Sequence, residues 1–266
     1  RSEIPNLSAG TPAKQPLGPK RLIKELGTAF SSPSYRSIFF GLLLLTLVLS
    51  IEGAFTPFMG IHFWGLETDQ LRLIPIGVLL GLPVGSVLAA YMVRVFDKKW
   101  CLAGGTTISL ISVNWMIVLR LLEVLPENGS PILLPLLIGS SFISAVLVPV
   151  VFITINSMFA DISDELELKT GERQEGVIYS ARAFAGKAAS ALGTVIGGIA
   201  LDFIAFPKNA VPGEVPADII FNLGLFQGPL TSICNLVAVV LFLRYSLTRQ
   251  KHREIVEQLA STNSDT

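Results

Sequence analysis

From Ile132 to Ser157 the sequence carries no charged residue, and that run limits the fold more than any other feature. About 20 predominantly apolar residues suffice for a helix to cross the hydrocarbon core of a bilayer, and this run meets the requirement alone. A second run, Gly41–Leu47, offers one hydroxyl and no charge. Only 15% of the residues are charged, and mean hydropathy is +0.61, whereas a soluble domain carries about a quarter charged residues. The solvent of this chain is lipid.

Six segments read as spans, roughly Ser37–Phe63, Leu73–Phe96, Trp100–Leu122, Pro131–Phe159, Val177–Phe206 and Ile219–Leu243. Lipid offers the backbone no hydrogen-bond partner, so each is expected to be helical. The alternating segments of about ten residues that build a membrane β-barrel are absent. The expected architecture is therefore an all-α bundle of six transmembrane helices at 37–246, preceded by a polar linker at 1–36 and followed by a tail at 247–266. The linker holds Pro5, Pro12, Pro16 and Pro19 and starts without Met, so the chain is expected to begin inside a longer protein. Cys101 and Cys234 form neither a metal spacing nor a disulfide framework and read as small buried hydrophobes.

Lysine and arginine set the orientation. Fifteen of them fall in the N-terminal segment, the second and fourth connections and the tail, against three (Arg72, Arg120 and Lys208) on the other face. Both ends are expected in the cytoplasm. Just before the first span, Leu22, Ile23, Leu26 and Phe30 interleave with Lys20, Arg21, Lys24 and Glu25, the pattern of a short helix lying on the membrane surface.

Small residues recur in two spans. Gly77, Gly81 and Gly85 stand four apart in the second, and Gly186, Gly193 and Gly197 lie in the fifth with Ala189 and Ala200. Such stripes let helices approach closely in lipid, and they hint at a repeat of three spans plus three, a plan common among secondary transporters.

Charges inside spans are the sharpest functional clue, because each costs roughly 2.5–3.5 kcal/mol at mid-bilayer on insertion scales. Glu52 lies mid-way along the first span, with Thr56 one turn on and Gly53, Pro57 and Gly60 marking an interrupted helix. It reads as a ligand for a proton, a cation or a substrate hydroxyl, or as a neutral acid bonded to another helix. Lys187 lies deep in the fifth span, with Ser180, Ser190 and Thr194 on its face. That polar stripe adjoins the glycine stripe, and Glu52, Asp161 and Asp164 are candidate partners for the ammonium. Asn114, Asn156 and Asn235 add polar groups within spans, for ligand contact or interhelical bonding. Arg120 and Glu123 are spaced to pair at an interface.

Between spans four and five stand six acids in the fifteen residues from Asp161 to Glu175, interrupted by Thr170-Gly171, with Arg173 among them and Arg182 beyond. Asp161, Asp164 and Glu165 share a helical face, and both arginines are available to pair with them. One reading is a charge lock that holds one conformation and parts in another. A second is magnesium bound to a diphosphate substrate, and a third is a solvated loop. No phosphate-cradling glycine loop is present, and no nucleic-acid partner, catalytic residue, metal site or resident cofactor is expected.

At this stretch the chain resembles the glycoside-pentoside-hexuronide:cation symporter family of the major facilitator superfamily, the group containing melibiose permease. The resemblance rests on Asp161, Asp164, Glu167, Thr170-Gly171, Arg173, Glu175-Gly176, Phe184 and Lys187, with Asp97-Lys98-Lys99 falling at a short basic turn. It implies that the chain is the C-terminal six-helix half of a twelve-helix transporter of a bacterial inner membrane, partnered by a missing N-terminal half. Spans one and four would line the central cavity, and spans two and five would face the other half. It further implies symport of a sugar or related small solute with sodium or protons by alternating access, with Lys187 matching the family's eleventh-helix lysine of the cation and sugar region. Glu52, Thr56, Asn156, Ser180 and Thr194 are expected on the pathway from their polarity within the spans, not from the resemblance. An alternative cargo is a lipid or other amphiphile, for which Phe55, Phe63 and Trp64 would offer apolar contact; a magnesium-dependent membrane transferase is the remote alternative.

Overall fold

A computed structural model describes residues 19–172 and 174–264. Arg173, and the linker up to residue 18, lie outside the described residues. Every regular element among those described is a helix, and six helices are long and apolar enough to cross a membrane. They are α2 (Pro33–Phe58), α4 (Ile74–Val95), α5 (Lys98–Leu121), α6 (Leu133–Thr170), α7 (Glu175–Phe203) and the pair α8 (Ala217–Leu225) and α9 (Thr231–Leu243). α1 (Pro19–Ser31) and α10 (Arg249–Ser264) flank them, and α3 (Thr68–Leu71) is a single turn.

Local chemistry explains where the spans begin and end. Ser32 caps α2, its Oγ accepting from the Tyr35 amide at 3.4 Å, and Pro33 occupies the first turn, where its missing N–H costs nothing. α6 runs 38 residues, about 57 Å at 1.5 Å per residue, against a hydrocarbon core of about 30 Å. The acids of its last turns therefore stand on helix rather than in a loop. Gly171 stops it with φ 70°, a left-handed backbone that glycine adopts without strain.

The interruption expected at Gly53, Pro57 and Gly60 takes a milder form than a break. α2 stays α-helical through Phe58 and then widens into a π-helical turn over Met59–Phe63. A proline removes one N–H and crowds the carbonyl four residues back, and one wide turn absorbs that without exposing backbone to lipid. The sixth span does the same between α8 and α9, over Phe226–Leu230 with Pro229 inside it.

The spans pair across the repeat. α2 packs on α7 and α9, α6 packs on α4 and α5, and α5 meets α9. Exchanging the first three spans for the last three maps this pattern onto itself, which fits the three-plus-three reading. Five of the six striped glycines sit at these seams or buried beside them, four of them against backbone carbonyls: Gly77, Gly81 and Gly85 face the Ile138, Phe142 and Val146 carbonyl oxygens of α6, and Gly193 faces Leu47 of α2. Gly197 packs on the Ala54 methyl. Gly186 has open space around it within this six-helix unit, and Ala189, the next residue of the stripe, is buried.

Two apolar clusters close the bundle at its ends. One, at the end carrying α1 and α10, gathers Tyr35, Ile38, Phe159, Ile162, Phe242 and Tyr245; the other gathers Phe55, Met59, Phe63, Met116 and Leu223. Outward faces stay apolar, with Leu79 71% and Val87 74% exposed, as lipid requires.

Candidate functional site

Mid-span, polar side chains stand on the open sides of α2 and α7. Thr56, Ser180, Lys187, Ser190 and Thr194 are exposed in this six-helix unit, and Glu52 is half-buried. Close packing at Gly193 brings α2 and α7 together, and Ser50 Oγ donates to Ser190 Oγ at 3.0 Å across that seam. Thr56 Oγ1 donates to the carbonyl of Glu52 at 2.9 Å, and Thr194 Oγ1 to that of Ser190 at 3.1 Å, so neither hydroxyl needs a distant partner. Lys187 pairs with none of Glu52, Asp161 or Asp164 among the described residues. Glu52 instead lines a cavity between α2, α5, α6 and α9, together with Asn114 and Asn235.

At the end carrying α1 and α10, three acids of α6 have described partners, Lys98, His252 and Lys169, while Arg173, one of the two arginines expected from sequence, lies outside the described residues. Asp161, 5% exposed, accepts from Lys98 Nζ at 2.7 and 2.6 Å, and His252 Nε2 of α10 lies 3.3 Å from it and 3.0 Å from Asp164 Oδ2. Glu165 takes Lys169 Nζ at 2.7 Å and the Ser32 hydroxyl at 3.4 Å. Tyr245 is buried against the same acids; burial first, and then the charges of Asp161 and Glu165, push its phenol above its ordinary range. The network thus joins α1's end, α5, α6 and α10 at one place.

Arg182 goes elsewhere. Its Nη1 donates to Asn156 Oδ1, and its guanidinium lies 4.9 Å from the Phe159 ring centroid and 5.8 Å from that of Tyr179. A planar, weakly hydrated cation gains from stacking on aromatic faces, and here two rings and an amide outcompete the acids. Arg120 likewise leaves Glu123 and binds the Pro126 carbonyl at 2.6 Å and the Asn128 side chain. Phe55, Phe63 and Trp64 are 0, 3 and 7% exposed within the outer cluster, so they pack the bundle and present nothing to a cargo. Because Asp161 and Glu165 turn to different cations, their carboxylates do not converge, and among the described residues no three acidic, histidine or cysteine side chains gather at a metal-binding distance.

The sequence profile described as MFS/sugar transport protein matches residues 8–249. The chain belongs to that family. Two curated relatives agree with the assignment. One is an uncharacterized symporter of Synechocystis, 27% identical over 246 residues, which are 90% of this chain and 42% of the relative. The other is an uncharacterized symporter of Bacillus subtilis, 29% identical over 185 residues, 66% of this chain and 36% of the relative. The chain spans about two fifths of the length of the curated relatives it matches.

As a member of the MFS/sugar transport family the chain is a multi-pass membrane protein. Two residues of its charge network escaped the sequence reading. Lys98 counted there only as a positive residue of a short turn, and His252 lay in a stretch read as tail. A signal was present in the tail: His252, Ile255 and Leu259 fall three and four residues apart, on one helical face, with Ile255 5% exposed and Leu259 packed on the core. Asn114 and Asn235 had been noted singly, and nothing in their spacing showed that they meet Glu52.

Proposed function

We propose that the protein carries out cation-coupled symport of a sugar or related small solute by alternating access, with this chain as one six-helix half. The observation that carries the reading is the uncovered polar face at mid-span, above all Lys187. An ammonium turned toward lipid there would cost roughly 2.5–3.5 kcal/mol or more, so the face belongs against protein or a wet cavity. In secondary transporters the site lies near the bilayer midplane at the interface between repeats. Lys187, Ser180 and Thr194 from α7, Thr56 from α2 and Asn156 from α6 would line it, with sodium or a proton as coupling ion. The basic end, with α1 and α10, would face the cytoplasm of a bacterial cell. The Asp161–Lys98–His252 network would hold that end of this half together, and a second six-helix half would complete the pathway.

A second reading keeps the fold and changes the cargo. An apolar groove of about 660 Å³ runs between α1, α2 and α7, past Phe30, Phe39, Leu43, Phe184 and Leu192, and would suit an acyl chain. Uptake by membrane vesicles under imposed sodium or proton gradients separates the two, with labelled sugars in one arm and a lysolipid in the other. Sugar accumulation is expected, falling at least tenfold for Lys187→Ala in protein that still reaches the membrane. Normal accumulation by that variant would refute the role of Lys187, and lysolipid movement without sugar uptake would favour the groove.

A further inference from the structure

Behind the polar face lies a separate polar cavity. α2 packs on α9, α9 on α5 and α5 on α6, while α6 and α2 meet only lightly, so four helices form a ring left open on one side. It falls at the height where the two apolar clusters stop, between Val48 in α2 and Phe55 one turn beyond Glu52. The cavity holds about 50 Å³ and takes polar groups from three of the helices: Glu52 from α2, Thr106, Ser109 and Asn114 from α5, and Asn235 from α9.

Their unmet atoms are of one kind. Thr106 Oγ1, Asn114 Oδ1 and Asn235 Oδ1 are buried without a hydrogen-bond partner among the described residues. Asn114 Nδ2 donates to the Leu110 carbonyl at 2.8 Å; only the amide nitrogen can do so, which fixes the oxygen as the unmet atom. Thr106 and Asn235 are 2% and 9% exposed. Buried acceptors without partners are few in folded proteins and call for an explanation. No lysine, arginine or histidine lines the cavity, so nothing there balances the carboxylate of Glu52.

We propose that this cavity binds a monovalent cation of sodium's class, held by the Glu52 carboxylate and the neutral oxygens of Asn114 and Asn235, with Thr106, two turns from Asn114 on α5, lining the wall beyond them. Hard cations take oxygen ligands. One carboxylate with neutral oxygens balances a single positive charge, whereas a divalent ion would leave net charge in the membrane interior. A water needs about 10–15 Å³, so the volume admits the ion with one or two waters to complete its shell. The site deepens the symport reading by naming where an ion can bind within this half, apart from the Lys187 face.

The test is equilibrium binding of radioactive sodium, without any cargo, to purified protein carrying this chain in lipid nanodiscs, alongside thermal unfolding in sodium against N-methylglucamine. Glu52→Gln is expected to lower binding by one ion per chain, and Asn235→Leu and Asn114→Leu to weaken that ion at least tenfold. Ser86→Ala, on the outer side of α4, should change nothing. Variants that elute as folded protein yet keep wild-type affinity and stoichiometry would overturn the site; so would stabilisation that depends on pH and Glu52 but not on sodium, which marks a protonation site instead. If the asparagine substitutions fail to fold, the near-isosteric Glu52→Gln decides. Sodium binding at the cavity in a protein that moves no sugar would leave the site standing and remove the symport reading, and gradient-driven uptake with unaltered binding in the variants would do the reverse.

Discussion

Asp161→Ala should destabilise the protein by roughly 3 kcal/mol, the scale of breaking a buried ion pair by removing one partner. The side chain of Asp161 is 7% exposed and that of Lys98 25%, so the substitution strands an ammonium that has little water to turn to. It also takes from His252 one of its two carboxylates. Replacing both members, as in Lys98→Met with Asp161→Leu, should recover most of the loss, because neither charge then has to be buried. Asp164→Ala is the useful contrast: that side chain is 30% exposed and, among the described residues, meets His252, so its loss should cost under about 1 kcal/mol. Thermal or denaturant unfolding of the four proteins in one detergent measures the series. An Asp161→Ala variant as stable as the parent would show that the pair contributes nothing.

Gly85→Val should prevent accumulation of folded protein in the membrane. A Cβ at Gly85 would lie 2.2 Å from the Val146 carbonyl oxygen, and one at Gly81 2.6 Å from that of Phe142. Backbone stands on the far side of both contacts, so no side chain can rotate away and α4 must lift off α6. Overpacking in a core costs typically 1–3 kcal/mol for a side chain that can shift; alanine at Gly85 should already reach that range, and valine should exceed it. Close backbone approach is also much of what associates helices in lipid, so the loss has no compensation. Gly186→Ala, which meets open space, should leave folding untouched. Gel filtration of fluorescently tagged protein extracted from membranes reads all three, and a normal peak for Gly85→Val would refute the seam.

The spans were legible because bilayer thickness imposes a length on any apolar run that crosses it, and Ile132–Ser157 declares that length without ambiguity. The end of α6 was legible too, since Gly171 after a helical acidic run is a stop signal. What escaped was pairing. Lys98 and His252 reach Asp161 from segments far away in sequence, and a charge shows its sign in sequence but not its partner. Arg182 went unread for a related reason: guanidinium, ring and carboxylate attract one another with similar strength, and only geometry selects Phe159 and Asn156 over the acids. Pro57 announced a disturbance in α2, yet a break and a wide turn lose the same hydrogen bond and look alike in sequence. Glu52 stood out by cost alone, while the oxygens that give it company lie on other helices.

The crossed pairing of spans also constrains how the protein is made. Of the six spans described, α2 leaves the ribosome before the other five, but its packing partners include α7 and α9, the last of the six to emerge. Until then its Ser50 and Glu52 have no neighbour from those helices, and the membrane must hold a polar helix in waiting. The final span touches both α2 and α5 and so acts as the closing stitch of the bundle. A chain halted before Leu243 would be inserted yet open along one side, and quality control would meet it as an unfinished seam rather than as a shorter protein.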